Sequence, residues 1–551
     1  MTSEHFTKIA NDAVASLCSH YPDQATFLGD HSHDDRLGDP SLAAEQRRVE
    51  ELRSLIAQLK LPTEQLDTAD AVDRDILRTA AESELLLLTD LDEASWNPMT
   101  HNPGQALYAL LTRDFAPLPE RLSSVAGRLR AVPEYLQAAR GRLSDMSPLH
   151  VQTAIGQFEG TLALIESEIP AAIAEAGGSP DLTHEISQAA AAVREHQDWL
   201  RAELAGAQRS PSLGADLYAR KLALVLATPW QPKMLLEQAY RDLDRVESEL
   251  ADLVGQSTDT ANPDRAAIAA EFSRLAADVP TSETILQLCR DAMDETTEFV
   301  RKHDLLTLHD DPVEIIAMPE IDRGVAVAYC VAVGVLETAP LATQFAVSPT
   351  PKDWSEDQVR SFYREYNNHM LHNLTIHEGM PGHVAQLSHN QRYQGANPVR
   401  GVFGSDSFIE GWAVYAEELM ATLGYRGEIS AEAAAAVRMQ QLKMQLRAIL
   451  NTIMDVSFHT GELDQSQAME LMMVRGYQEE GEATGKWRRV QLSSTQLSCY
   501  YVGYLEVLQL VADLRQAHPS WSDRQLHDTM LSFGSPPVRY LRQLLGLPAA
   551  A

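Results

Sequence analysis

A chain of 551 residues is longer than one typical domain, and 44% hydrophobic residues with only 6% aromatics favour helix over sheet. Its formal charge of −33 argues against nucleic acid and against an anionic membrane as partners, because either would be repelled. Cys18, Cys289, Cys330 and Cys499 lack paired spacing, which excludes a zinc ribbon and a disulfide framework and leaves free thiols in a reducing compartment.

The N-terminus, Met1-Thr2-Ser3-Glu4-His5-Phe6, has an acidic residue and no basic stretch before an apolar core, so no secretory signal and a cytoplasmic location are expected. Apolar residues then recur at helical steps over roughly 41–60, 70–95, 118–145, 148–174, 181–207, 231–256, 264–278 and 282–303. Pro62, Pro117, Pro148, Pro180, Pro211, Pro263, Pro280 and Pro312 fall between these stretches or in their first turns, as helix breakers should. From 313 to 349 the pattern changes: 313–318 and 324–331 are rich in β-branched residues and read as strands. Strand 324–331 is either an ordinary buried strand or an edge that pairs with an extended substrate. The run from Gly324 to Leu336 is too short to span a bilayer. Met439, Leu442, Leu446, Ile449, Leu450 and Ile453 form the stripe of a further long helix. The expected architecture is mainly α and two-lobed: an N-terminal helical lobe over 1–310, then a small sheet and a helical catalytic lobe over 311–551.

Chemistry concentrates at His377-Glu378-Gly379-Met380-Pro381-Gly382-His383, with Glu410 further on in Phe408-Ile409-Glu410-Gly411-Trp412-Ala413. Two His and one Glu are the ligand set of a catalytic zinc site that keeps a position open for water. Glu378 stands where a metallohydrolase places its general base. In the common HExxH arrangement the histidines are four residues apart and share a helix face, whereas a spacing of six turns them about 240° apart on a regular helix. Pro381 and Gly382 therefore have to break or bulge the helix and return His383 toward His377. Otherwise the helix ends at Met380, a turn follows, and the three polar residues are unrelated. Glu417 and Glu418 compete with Glu410 for the third ligand. Glu417 lies two turns from Glu410 on nearly the same face and could instead orient a ligand histidine.

The stretch Glu365-Tyr366-Asn367 … His377–His383, followed by Glu410-Gly411-Trp412-Ala413-Val414-Tyr415, resembles the family catalogued as domain of unknown function 885. That family is grouped with gluzincin-type metallopeptidases, and its pattern reads HExxPGH and then EGWAxY. Asp455 … His459 is similar to its D-x-G-x-H segment, with Ser457 in place of Gly. Arg489 … Gln496 … Tyr500 … Gly503 is similar to RY…PGQxxxYxxG, with Val490 for Tyr and Ser494-Thr495 for Pro-Gly. His527-Asp528 … Leu541-Arg542 is similar to the closing HDxxLxxGxxPxxxLR. The match is ordered over roughly 360–545 and loose in the N-terminal half.

The resemblance implies one zinc ion on His377, His383 and Glu410, with Glu378 as base and Tyr500 and His459 as candidate donors to the oxyanion of the transition state. A tyrosine near Leu505 and Leu508 is as readily a wall residue, and a lone histidine a structural one; Tyr501 and Tyr504 are nearby alternatives. His369 and His372 could form a separate metal pair or stand behind the first. Arg489 and Arg542 could grip a substrate carboxylate or form ordinary salt bridges. The expected activity is zinc-dependent hydrolysis of amide bonds in short, extended peptides. The rival readings are a metal amidase for a non-peptide small molecule and a non-catalytic helical scaffold with a vestigial site.

Overall fold

The computed structural model describes residues 1–61, 66–319 and 327–548. Two compact units emerge. One comprises Met1–Pro211 with Val333–Leu341 and Gly395–Phe403; the other comprises Ser212–Ala332, Ala342–Gln394 and Gly404–Ala551. This corrects the expected division near residue 310, because helices Ala215–Val225, Pro232–Thr258, Arg265–Leu275 and Ile285–His303 belong to the second unit.

The first unit is helical. Leu118–Arg142, Pro148–Ala163 and Thr183–Glu203 pack around Leu107, Leu129, Val151, Phe158, Val193 and Leu200, all fully buried. Its two returning segments are tied in by polar contacts. The Leu336 N–H donates to Leu28 O at 2.7 Å, and Glu337 Oε2 lies 2.9 Å from His31 Nε2. Asp73, 1% exposed, receives Arg400 Nε at 2.6 Å and Asn397 Nδ2 at 2.9 Å.

The second unit is built around Ala431–His459. The expected single stripe understates this helix, which is buried on several sides by Pro232–Thr258, Asn368–Glu378, Asp406–Thr422, Glu480–Leu492 and Gln496–Ala517. Leu446, Ile449, Leu450 and Ile453 meet Phe408 and Trp412 in one core. Asp406–Thr422 and Gln496–Ala517 come closest at Gly411 and Gly503. A Cβ on Gly503 would lie 1.7 Å from Ser407 O, and one on Gly411 would lie 2.2 Å from the Gly503 carbonyl carbon. Only hydrogen fits there.

The small sheet consists of β1 (Val313–Ala317), β2 (Ala328–Val331) and β3 (Thr343–Val347) in the order β1-β3-β2. β1 runs parallel to β3 with Val313 opposite Thr343, and β2 runs antiparallel with Ala328 opposite Val347. Of the expected strand 324–331, residues 324–326 lie outside the described residues, and 328–331 form the outer strand β2, which packs on Asn368–Glu378. Phe345 and Val347 join Leu371 and Leu374 in a buried cluster that fixes that helix against the sheet.

Candidate metal centre

Asn368–Glu378 starts on the Asn367 side chain, which accepts from the His369 and Met370 N–H groups at 3.1 and 3.2 Å. The helix ends at Glu378 rather than bulging, and His383 opens a new helix, His383–Gln391. Between them a tight turn contains a cis Met380–Pro381 peptide bond. The Gly382 N–H donates to Ile376 O at 3.0 Å, folding the turn back on the helix it leaves. A Cβ on Gly382 would stand 1.9 Å from His377 O and 2.3 Å from Ile376 O, so the reversal requires glycine. Trp412 Nε1, fully buried, donates to Pro381 O at 2.9 Å and ties the turn to the helix that carries Glu410.

This reversal brings the three expected ligands together. Among the described residues, His377, His383 and Glu410 form a group whose ligand atoms all lie within 4.8 Å of one another. Glu410 Oε2 is 3.3 Å from His377 Nε2 and 3.4 Å from His383 Nε2, yet it is a buried atom with no hydrogen bond among the described residues. Two ligands each about 2.0–2.1 Å from a tetrahedral zinc ion stand about 3.4 Å apart, so these separations fit a shared ion. Burial opposes the Glu410 carboxylate, but His383 and His377 hold its pKa well below the ordinary range. Its side chain is 21% exposed, which leaves the centre open to solvent on one side.

Glu417 supports the first histidine. His377 Nδ1 lies 2.7 Å from Glu417 Oε1, and Asn373 Nδ2 donates to the other Glu417 oxygen at 2.6 Å. With Nδ1–H donating to this carboxylate, His377 Nε2 is left with its lone pair toward Glu410 and the ion position. Asn373 was not foreseen, although it lies four residues before His377 and hence on the same helix face. Replacing Glu417 with Ala is expected to weaken zinc binding about 10- to 100-fold. Competition against a chelating dye measures this; unchanged affinity would mean the carboxylate has no such role.

Glu378 is 7% exposed, and its Oε2 is buried with no hydrogen bond among the described residues. Burial raises its pKa, against the pull of His383 and His377. Tyr500 stands near Glu410: its pKa is raised by burial and then by the Glu410 charge. Gln496 Nε2 donates to the Tyr500 hydroxyl at 3.3 Å and is itself anchored by Arg489, which donates to Gln496 Oε1 at 2.8 Å.

Other expected contributors are engaged elsewhere. His459, expected as an oxyanion donor, is corrected to a structural residue. Its Nε2 donates to Ser493 O at 2.9 Å and its Nδ1 accepts from the Leu213 N–H at 3.4 Å. It stacks on Tyr218, whose hydroxyl donates to Asp455 Oδ2 at 2.8 Å. Asp455 Oδ1 also accepts from the Thr495 N–H at 3.2 Å, holding Thr495 at φ 66°, a left-handed backbone where the family pattern has Gly. His372 Nδ1 lies 3.1 Å from the Tyr425 hydroxyl and His369 Nε2 lies 3.8 Å from Asp278, so neither joins the ligand group. Arg542 is paired with Asp513 at 2.7 Å, Tyr501 donates to Asp242, and Tyr504 donates to Glu418.

The pattern described as "Bacterial protein of unknown function (DUF885)" matches residues 22–545. The chain belongs to the DUF885 family. A solved structure titled as a "putative lipoprotein of unknown function" from Shewanella oneidensis is similar to this DUF885 chain at 29% identity. It covers 98% of this chain and 99% of its own, with a TM-score of 0.82. A "putative lipoprotein" from Colwellia psychrerythraea shares the fold at 16% identity, over 99% and 98% of the two chains, with a TM-score of 0.83. An M32 carboxypeptidase from Deinococcus radiodurans R1 aligns over 92% and 95% at 11% identity, but its TM-score is 0.37. Among curated proteins, none matches the DUF885 chain. The similar Shewanella oneidensis protein, described as a "putative lipoprotein", overturns the expected cytoplasmic location, since a lipoprotein is anchored at a membrane by its lipid. Among the described residues, no helix is long and apolar enough to cross a membrane.

Proposed function

We propose that this DUF885 protein is a zinc-dependent hydrolase that cleaves amide bonds in short, peptide-like substrates. The observation that carries the reading is the convergence of His377, His383 and Glu410, next to Glu378, whose buried Oε2 has no hydrogen bond among the described residues. Zinc bound by those three side chains supplies Lewis acidity to the scissile carbonyl and to a water molecule. Glu378 takes the water's proton and delivers it to the departing nitrogen. Burial raises its pKa, which helps the carboxyl keep the proton between the two transfers. Tyr500, whose raised pKa keeps it protonated and whose oxygen accepts from Gln496, donates a hydrogen bond to the developing oxyanion. His377 is held in one tautomer by Glu417, and the Trp412 N–H keeps the turn before His383 in place.

The test is direct. Purified full-length protein should carry one equivalent of zinc by elemental analysis and cleave members of a mixed library of unstructured peptides. Chelation should abolish cleavage and added zinc should restore it. Zinc-loaded protein that leaves every peptide intact would overturn the proposal.

A further inference from the structure

Lys486 and Arg489 lie one turn apart on Glu480–Leu492, and both are partly exposed. Arg489 holds Gln496, and Gln496 holds the Tyr500 hydroxyl, at 2.8 and 3.3 Å. Tyr500 lies three residues before Gly503, whose backbone touches Gly411, the neighbour of Glu410. The guanidinium therefore stands close behind a hydroxyl that neighbours the metal ligands. Among the described residues, Arg489 forms no ion pair; the one hydrogen-bond partner of its guanidinium is the neutral Gln496.

The carboxylates around this pair are already shared. Glu482 Oε1 lies 3.6 Å from Lys486 Nζ and 3.6 Å from Arg447, and Oε2 accepts from the Tyr366 hydroxyl at 3.0 Å. Glu365, 1% exposed, accepts from Lys443 at 2.9 Å, from the Glu479 N–H at 2.9 Å and from Arg447. Lys443, Arg447 and Lys486 thus share two carboxylates and Arg489 has none among the described residues, which leaves two positive charges over among these groups in a chain whose net charge is −33. Burial pushes the Lys486 ammonium down to about 8, with Arg489 and Arg447 adding to the shift against Glu482. A cationic excess held half-buried beside a site gains most from an anion that arrives with the ligand.

We propose that Lys486 and Arg489 form a subsite for a substrate carboxylate, so that the substrates are short peptides or amides with a free carboxylate near the scissile bond. This rests on the hydrolase reading above and adds the substrate class to it. Arg489 keeps one N–H on Gln496 and offers the others to the carboxylate, and Lys486 supplies a second charge. The carboxylate comes either from a chain terminus or from an acidic side chain.

Binding to full-length, zinc-loaded Glu378→Gln protein tests this by calorimetry without reading turnover. The probes are N-acetyl-trialanine as the free acid, its C-terminal amide, and the amides with aspartate at each position in turn. The free acid, or one aspartyl amide, should bind about tenfold or more tightly than the trialanine amide, the order expected of a charge-assisted hydrogen bond. Which probe prevails identifies the source of the carboxylate. Adding Lys486→Met and Arg489→Met should bring all probes within about twofold while zinc content stays at one equivalent. Equal affinity for charged and neutral probes, including no measurable binding of any, overturns the subsite. So does discrimination that survives both substitutions. An inactive wild-type enzyme that still discriminates among the probes would count against the hydrolase reading and not against the subsite.

Discussion

Glu378→Gln protein should retain one equivalent of zinc and lose at least about 100- to 10,000-fold in kcat, the range for removal of a general base. Glutamine keeps the shape of the side chain, so the surroundings remain as they are. It cannot accept a proton at neutral pH, and that is the change the test isolates. The structure makes the separation clean, because Glu378 is not one of the three converging ligands while its Oε2 lies buried without a hydrogen bond among the described residues. The relevant pair of measurements is metal content and single-turnover rate on the same preparation. Loss of zinc would make Glu378 a ligand, and unchanged turnover would remove it from the chemistry altogether.

Gly382→Ala should cost the metal site itself. The new methyl would meet His377 O at 1.9 Å and Ile376 O at 2.3 Å, backbone atoms that cannot rotate aside. The turn must open, and His383, the next residue, moves with it. Zinc affinity should fall at least about 100-fold, beyond what loss of a supporting contact achieves. Thermal unfolding should report a destabilisation of about 1–3 kcal/mol, the usual cost of overpacking. Gly485→Ala is the control: beyond its chain neighbours and its own helix backbone, no atom lies within 4 Å of its added Cβ, and alanine suits the Glu480–Leu492 helix better than glycine does. If Gly382→Ala binds zinc as tightly as this control, the turn is not what aligns the histidines.

Much of the fold and site was legible in the residues because the relevant signals are local. Helices expected over 118–145, 231–256 and 282–303 appear as Leu118–Arg142, Pro232–Thr258 and Ile285–His303, since apolar periodicity and flanking prolines act within a few turns. His377, Glu378 and His383 fall within seven residues, and the need for Pro381-Gly382 to reverse the chain follows from helix geometry alone. β3 went unseen because Thr343–Val347 shows no alternation and is defined by pairing with β1 and β2. The role of His459 was misread for a similar reason. A histidine's residue type does not reveal that distant Leu213 and Ser493 occupy both its nitrogens. The boundary at Pro211 escaped because Pro211 reads like the other prolines between helices; it depends on which remote segments pack together. Trp412 is core, but its N–H to Pro381 O depends on a turn that pattern alone does not draw.

The interleaving of the chain has a consequence for how such a protein can be dissected or inherited. Residues 333–341 leave before the first histidine and residues 395–403 leave between the second histidine and Glu410, each to complete the N-terminal unit. Amputation at Pro211 would strip Arg400 and Asn397 of Asp73 and leave both returning segments without the unit they complete. The ligand-bearing half is therefore no detachable module. It travels through genomes, or through a laboratory, only in company with the rest.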